Sequence, residues 1–132
     1  MTVVIRRVRL SFVVIGVPVS SQGSNASIKR YQRVVAQEAT KNVASPIEGK
    51  EKVKVEIDWF SEGFNNKPDV DNIAKPIIDA LKGIVFTDDK QVESHTVRKH
   101  DSLGVMSFWR EPLSIAKPLL DGDNDYVFIR IY

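Results

Sequence analysis

Two short acidic segments hold most of the chemistry-bearing side chains of this chain. The first is Asp69-x-Asp71-Asn72-x-x-Lys75-x-x-x-Asp79, followed by Ala80, Leu81, Lys82 and Gly83. The second is Asp88-Asp89-x-Gln91. Asp69 and Asp71 bracket the expected start of a helix, where free N–H groups and the positive end of the dipole favour carboxylates. Capping accounts well for one of the two, poorly for both, and not at all for the second pair. It also leaves Lys75 unexplained, one turn after Asp71 on the same helical face. A second pair at the end of the short apolar run 84–86 can return to this helix start. Three carboxylates held together then repel one another and resist full ionisation. A divalent cation resolves that conflict. With no cysteine and two histidines, His95 and His100, the donors are oxygens, which favour Mg²⁺ or Mn²⁺ over zinc. A lysine beside such an ion suits a phosphate oxygen or the attacking water. The set therefore reads as phosphoryl-transfer chemistry on a nucleic acid, with a pure capping and salt-bridge role as the alternative.

Hydrophobic periodicity supplies the elements that must position these groups. A strand is expected over 2–15, with Val8, Leu10, Phe12 and Val14 alternating against Arg7, Arg9 and Ser11. Arg6, Arg7 and Arg9 ahead of the apolar stretch 10–19 mimic the start of a signal peptide, but no small-x-small cleavage site follows and the alternation fits a strand better. A loop at 16–25 leads into a helix over 27–44, with Ile28, Tyr31, Val35 and Ala39 on one face and Lys29, Arg33, Gln37 and Lys41 on the other. That basic stripe is either a solvated surface or a phosphate contact. The clearest strand is 52–59, where Val53, Val55, Ile57 and Trp59 alternate with Lys52, Lys54, Glu56 and Asp58. After a loop at 61–68, a helix is expected over 71–82, its core face made by Ile73, Ile77, Ile78 and Leu81 and its end set by Gly83. Pro76 marks its first turn or distorts its start. A weaker strand covers 91–100, a short helix lies near 112–120, and a final strand covers 126–132, too uniformly apolar for its faces to be assigned. The order predicts an α+β fold: one domain over 1–132, a mixed β-sheet with two main helices packed on one face.

Composition narrows the classes. The 132 residues are 42% hydrophobic and 27% charged, which excludes disordered and low-complexity chains. The absence of cysteine excludes disulfide frameworks, thiolate zinc sites and cysteine nucleophiles. Residues 1–55 carry ten Lys/Arg against three Asp/Glu, and 56–132 nine against fourteen, a polarity suited to one phosphate-facing surface and a separate acidic cluster. No apolar run reaches the roughly 20 residues of a membrane span, so the expectation is a cytoplasmic protein with no membrane partner.

The acidic segments, spanning about 67–92, resemble the signature of RusA-type Holliday junction resolvases (crossover junction endodeoxyribonucleases), and the basic helix sits in the family's order. The resemblance implies a RusA-like fold and a homodimer. It further implies an Mg²⁺-dependent enzyme that resolves four-way DNA junctions by paired nicks in recombination and repair, leaving 5′-phosphate and 3′-hydroxyl ends. Carried over by position, Asp69, Asp71 and Asp89 are the catalytic, metal-holding carboxylates and Lys75 the catalytic lysine. Asn72 and Asp79 match the motif and read as helix-start and helix-packing residues. Lys29, Arg30, Arg33 and Lys67 are the candidate DNA phosphate contacts, although the loop at 65–68 is only weakly basic, and residues 102–125 fall outside the resemblance. A two-fold dimer would offer two identical sites to the two opposed strands of a junction. The alternatives are a branched-DNA-binding module that does not cleave, and a small interaction protein whose aspartates only cap a helix.

Three further features have plainer readings. Asp121, Asp123 and Asp125 suggest a calcium loop, but Tyr126 and Tyr132 stand where its glycine and glutamate belong, so a turn is expected. His95 and His100 are expected to be surface or cross-strand residues, with a supporting role near the metal as the alternative. Phe108, Trp109 and Arg110 fit a core or dimer interface better than a wedge into DNA.

Overall fold

The computed structural model describes residues 7–101 and 125–132. The elements are β1 (Leu10–Ile15), α1 (Asn25–Asn42), β2 (Val53–Ser61), α2 (Ala74–Leu81), β3 (Val92–Asp101) and β4 (Tyr126–Ile131), with 3₁₀ turns at Val70–Asn72 and Asp89–Gln91. The sheet order is β1-β4-β2-β3. β4 is antiparallel to both β1 and β2, while β3 runs parallel to β2. This is the expected α+β fold with one mixed sheet and two helices. The expected helix at 112–120, the aromatic pair at 108–109, and Asp121 and Asp123 lie outside the described residues.

Register settles the faces of β4 that periodicity left open. Ile131 sits between Leu10 and Val55, Ile129 between Phe12 and Ile57, and Val127 between Val14 and Trp59. These rows form one core with Tyr31, Val35 and Ala39 of α1 and Ile77, Ile78 and Leu81 of α2. Tyr126 and Phe128, on the opposite face, are also buried. A strand buried on both faces shows a continuous apolar run instead of an alternation.

α1 begins where Ser24 accepts the Ser27 N–H at 3.1 Å, a side-chain N-cap. The helix expected over 71–82 is divided: a 3₁₀ turn at Val70–Asn72, a joint at Ile73, then α2 from Ala74. Pro76 is the reason. A helix running through Asn72 would need the N–H that Pro76 lacks, and the proline ring would meet the Asn72 carbonyl. That carbonyl instead accepts the Ser21 N–H at 2.8 Å. Pro76 becomes the third residue of α2, where an N–H has no intrahelical acceptor in any case. Gly83 ends the element with φ +85° and donates its N–H to Phe86 O at 2.7 Å. The apolar run 84–86 forms isolated bridges from Phe86 to Ile47 and to Lys82 rather than a strand.

Two buried carboxylates organise the sheet. Asp58 is fully buried on the face away from the helices and accepts from Arg98 at 3.2 Å, His100 at 2.7 Å and Arg130 at 3.0 Å. His100 also stacks on Phe60, its partner in register, so it is the expected cross-strand residue. Asp125 accepts from the Trp59 indole at 3.0 Å, the Ser61 hydroxyl at 3.0 Å and the Lys67 ammonium at 3.0 Å. Asp125→Ala should cost about 2–4 kcal/mol, because it leaves the Trp59 N–H and the half-buried Lys67 charge unpaired. Urea denaturation measures this, and a loss under 0.5 kcal/mol would show that the cluster is not a structural anchor. No helix among the described residues is long and apolar enough to cross a membrane.

Candidate active site

A cleft of about 330 Å³ opens at the start of α2, walled by Asp71, Lys75, Asp79, Asp89 and His95 over a floor of Ala74, Ile78 and Val92. Four separate pieces of chain deliver these groups. Asp71 comes from the 3₁₀ turn before α2, Lys75 and Asp79 from adjacent turns of α2, Asp89 from the turn before β3, and His95 from β3 itself. Acidic segments almost twenty positions apart thus share one cavity, the juxtaposition their spacing suggested. His95 pairs in register with buried Val55, which sets it on the helix-covered face of an edge strand. Its place on the cleft wall was not legible from its weakly patterned strand.

Asp69 is placed differently. It flanks the 3₁₀ turn as N-cap residue without a side-chain cap hydrogen bond, and it is not on the cleft wall. Its carboxylate is exposed. α2 in turn starts at Ile73 with no side-chain cap. Neither Asp69 nor Asp71 therefore makes a side-chain cap of α2. Among the described residues, no three Asp, Glu or His side chains stand close enough to hold an ion as they lie. The donor chemistry nevertheless fits a hard cation, since Asp71 and Asp89 present exposed carboxylates to one cleft and Asp69 offers a third nearby in sequence. Lys75 pairs with Asp79 at 3.3 Å and is three-quarters exposed. A pair so exposed contributes under about 1 kcal/mol, so a phosphate could displace Asp79 from the ammonium at little cost. Asp79 is thus an ion-pair partner on the wall rather than a packing residue.

The Asp89 turn is held by Gln91, whose buried amide has polar partners on every side. Its Oε1 accepts from the Thr87 N–H at 2.9 Å, the Thr87 hydroxyl at 2.7 Å and the Asp88 N–H at 3.0 Å. Its Nε2 shares two hydrogens among the carbonyls of Ile47 at 3.2 Å, Glu48 at 2.7 Å and Glu51 at 3.1 Å. Gln91 belongs to the second acidic segment, but its spacing alone gives it no role. Asp88 completes the turn as its N-cap, accepting from the Lys90 N–H at 3.0 Å. That hydrogen bond, helped by the neighbouring Asp89 carboxyl, holds Asp88 below the usual carboxylate range. With the folded pKa depressed, the stabilisation is present above the unfolded value and lost as pH falls through the folded one. An NMR titration of the Asp88 carboxyl should give a midpoint below that of a free aspartate, and a normal midpoint would show that the cap does not form.

The candidate DNA contacts divide in two. Lys29, Arg30 and Arg33 are exposed on α1. Lys67 is committed to Ser61 and Asp125 through three contacts of 2.9 to 3.1 Å, which positions the loop ahead of Asp69.

Comparison with known proteins gives one family match. The model of the family described as endodeoxyribonuclease RusA matches residues 20–106, about two thirds of the chain, including both acidic segments, Lys75 and α1. No curated protein matches.

Proposed function

The chain belongs to the RusA endodeoxyribonuclease family, and from that premise we propose that it is a divalent-metal-dependent endonuclease, with Mg²⁺ as the ion, that resolves four-way DNA junctions by paired nicks. The observation that carries this reading is the single cleft shared by Asp71, Asp89 and Lys75. Asp71 and Asp89 would hold the cation, with Asp69 as the further carboxylate. When bound, the cation would supply charge to the scissile phosphate and lower the pKa of a water for attack. Lys75 would give up Asp79 and contact a non-bridging phosphate oxygen, stabilising the charge that grows there in the transition state. Gln91 keeps the Asp89 turn in place, so the carboxylate would meet the cation without reorganising. Lys29, Arg30 and Arg33 supply backbone contacts that carry affinity and no sequence information. Two copies related by a two-fold axis would address the two opposed strands of a junction. The setting is recombination and repair in the cytoplasm.

A labelled four-way junction tests the proposal. Symmetric nicks are expected with Mg²⁺ or Mn²⁺ and none with EDTA. Nicking that persists in EDTA would refute it. Tight junction binding with no product in either metal would instead favour a non-cleaving binding module.

A further inference from the structure

We propose that a second cleft, formed by Arg7, Arg9, Lys52 and Tyr132, binds a phosphodiester of the DNA strand whose scissile phosphate lies in the Asp71/Asp89 cleft. The inference rests on the nuclease reading and extends it to the path of the strand. The cleft measures about 300 Å³, and its walls are Arg7, Arg9, Glu51, Lys52 and Tyr132. Three cations thus face one carboxylate. The arginines belong to the basic run ahead of β1; Arg7 and Arg9 are exposed, and the family match begins only at residue 20.

The sheet topology places this cleft. β2 and β3 begin at the same end of the sheet, and β4 ends there opposite the start of β1, with Ile131 between Leu10 and Val55. The Arg9 N–H donates to Ile131 O at 2.7 Å, and Tyr132 exchanges two backbone hydrogen bonds with Lys54, at 2.9 and 3.1 Å. Arg9, Lys52 and Tyr132 are therefore fixed to the end of the sheet from which the Asp89 turn leads into β3. One residue touches both regions: Lys52 Nζ donates to Lys90 O at 3.2 Å, in the same 3₁₀ turn that presents Asp89 to the first cleft. Gln91 adds a second link by donating to Glu51 O at 3.1 Å. The two clefts flank one bolted turn.

The chemistry favours a backbone phosphate. Arg9 meets Glu51 at 3.5 Å, with both side chains well exposed, a weak pair that a phosphate can outcompete. Two arginines offer the forked donors suited to phosphate oxygens. The Tyr132 hydroxyl donates to Glu56 at 3.1 Å, which holds the ring as a wall against which a sugar or base can rest.

The test pairs variants of opposite expected sign. Junction binding is measured in Ca²⁺ over a range of salt, and nicking is measured in Mg²⁺. The double variant Arg7→Ala/Arg9→Ala should bind about tenfold more weakly at 0.1 M salt, with the slope of log affinity against log salt reduced by about 1–2. Glu51→Gln removes the competing carboxylate and should bind a few-fold more tightly with an unchanged melting temperature. Wild-type protein that nicks junctions, together with variants indistinguishable from it in affinity and slope, would overturn this inference alone. Wild-type protein that neither binds nor nicks would overturn the nuclease reading and this inference with it.

Discussion

Asp71→Asn should lower the rate of junction nicking in Mg²⁺ by about 10²–10³-fold or more, the scale of losing one charge-stabilising group in a transition state. Junction affinity in Ca²⁺ should change little, because removing a negative charge from a DNA-facing cleft does not weaken phosphate binding. The melting temperature of the metal-free protein should hold or rise slightly. Asp71 is exposed, lies in a 3₁₀ turn, and is not the cap of α2. Among the described residues it shares the cleft with Lys75, Asp79, Asp89 and His95. Retained nicking would remove Asp71 from the machinery, and a large drop in melting temperature would show a structural role that the geometry does not give it. Single-turnover gels, anisotropy and calorimetry on one preparation separate these outcomes.

Gln91→Ala should cost about 2–4 kcal/mol, or about 8–15 °C in melting temperature for a chain of this size. The truncation leaves two N–H groups, a hydroxyl and three carbonyls without their partner, and most of these are only partly accessible to water. Gln91→Glu keeps the shape but turns an oxygen toward the carbonyls of Ile47, Glu48 and Glu51. The new carboxyl should have a raised pKa, so the variant should be weakest at neutral pH and recover stability as pH falls through that value. Nicking at a temperature where Gln91→Ala is still folded should also fall, since the turn that presents Asp89 is no longer held. A variant with wild-type stability would mean that solvent replaces the amide without penalty.

Much of this was legible in the residues. The strand at 52–59 and the basic helix announced themselves because apolar and charged residues alternate at a strand period in one and a helical period in the other, although Asp58 on the charged face of the strand proves fully buried. The two acidic segments pointed to a common site because no local interaction could satisfy them all. What escaped was decided by tertiary contact. The break before α2 depends on a clash between Pro76 and a carbonyl four residues earlier, and on Ser21 arriving to take that carbonyl. The faces of β4 were hidden because both are covered. Lys67 looked like a loop cation free for DNA, but its anchor, Asp125, lies 58 positions further on. His95 entered the cleft through the register of β3 against β2, which no pattern within β3 could reveal.

The position of β4 has a consequence for how the molecule is made. It follows every other described strand in the sequence, yet it lies between β1 and β2. During synthesis, β1 has no described neighbour to pair with until residues 126–131 emerge, and the core rows on both sides of β4 stay incomplete. Closure then brings together segments more than a hundred residues apart, as Leu10 with Ile131, and the entropy of closing such a loop must be met before any of its contacts form. Assembly of the sheet is therefore a late, concerted event, and a nascent chain halted before residue 126 would expose two apolar strand edges to whatever neighbour or chaperone lies nearest.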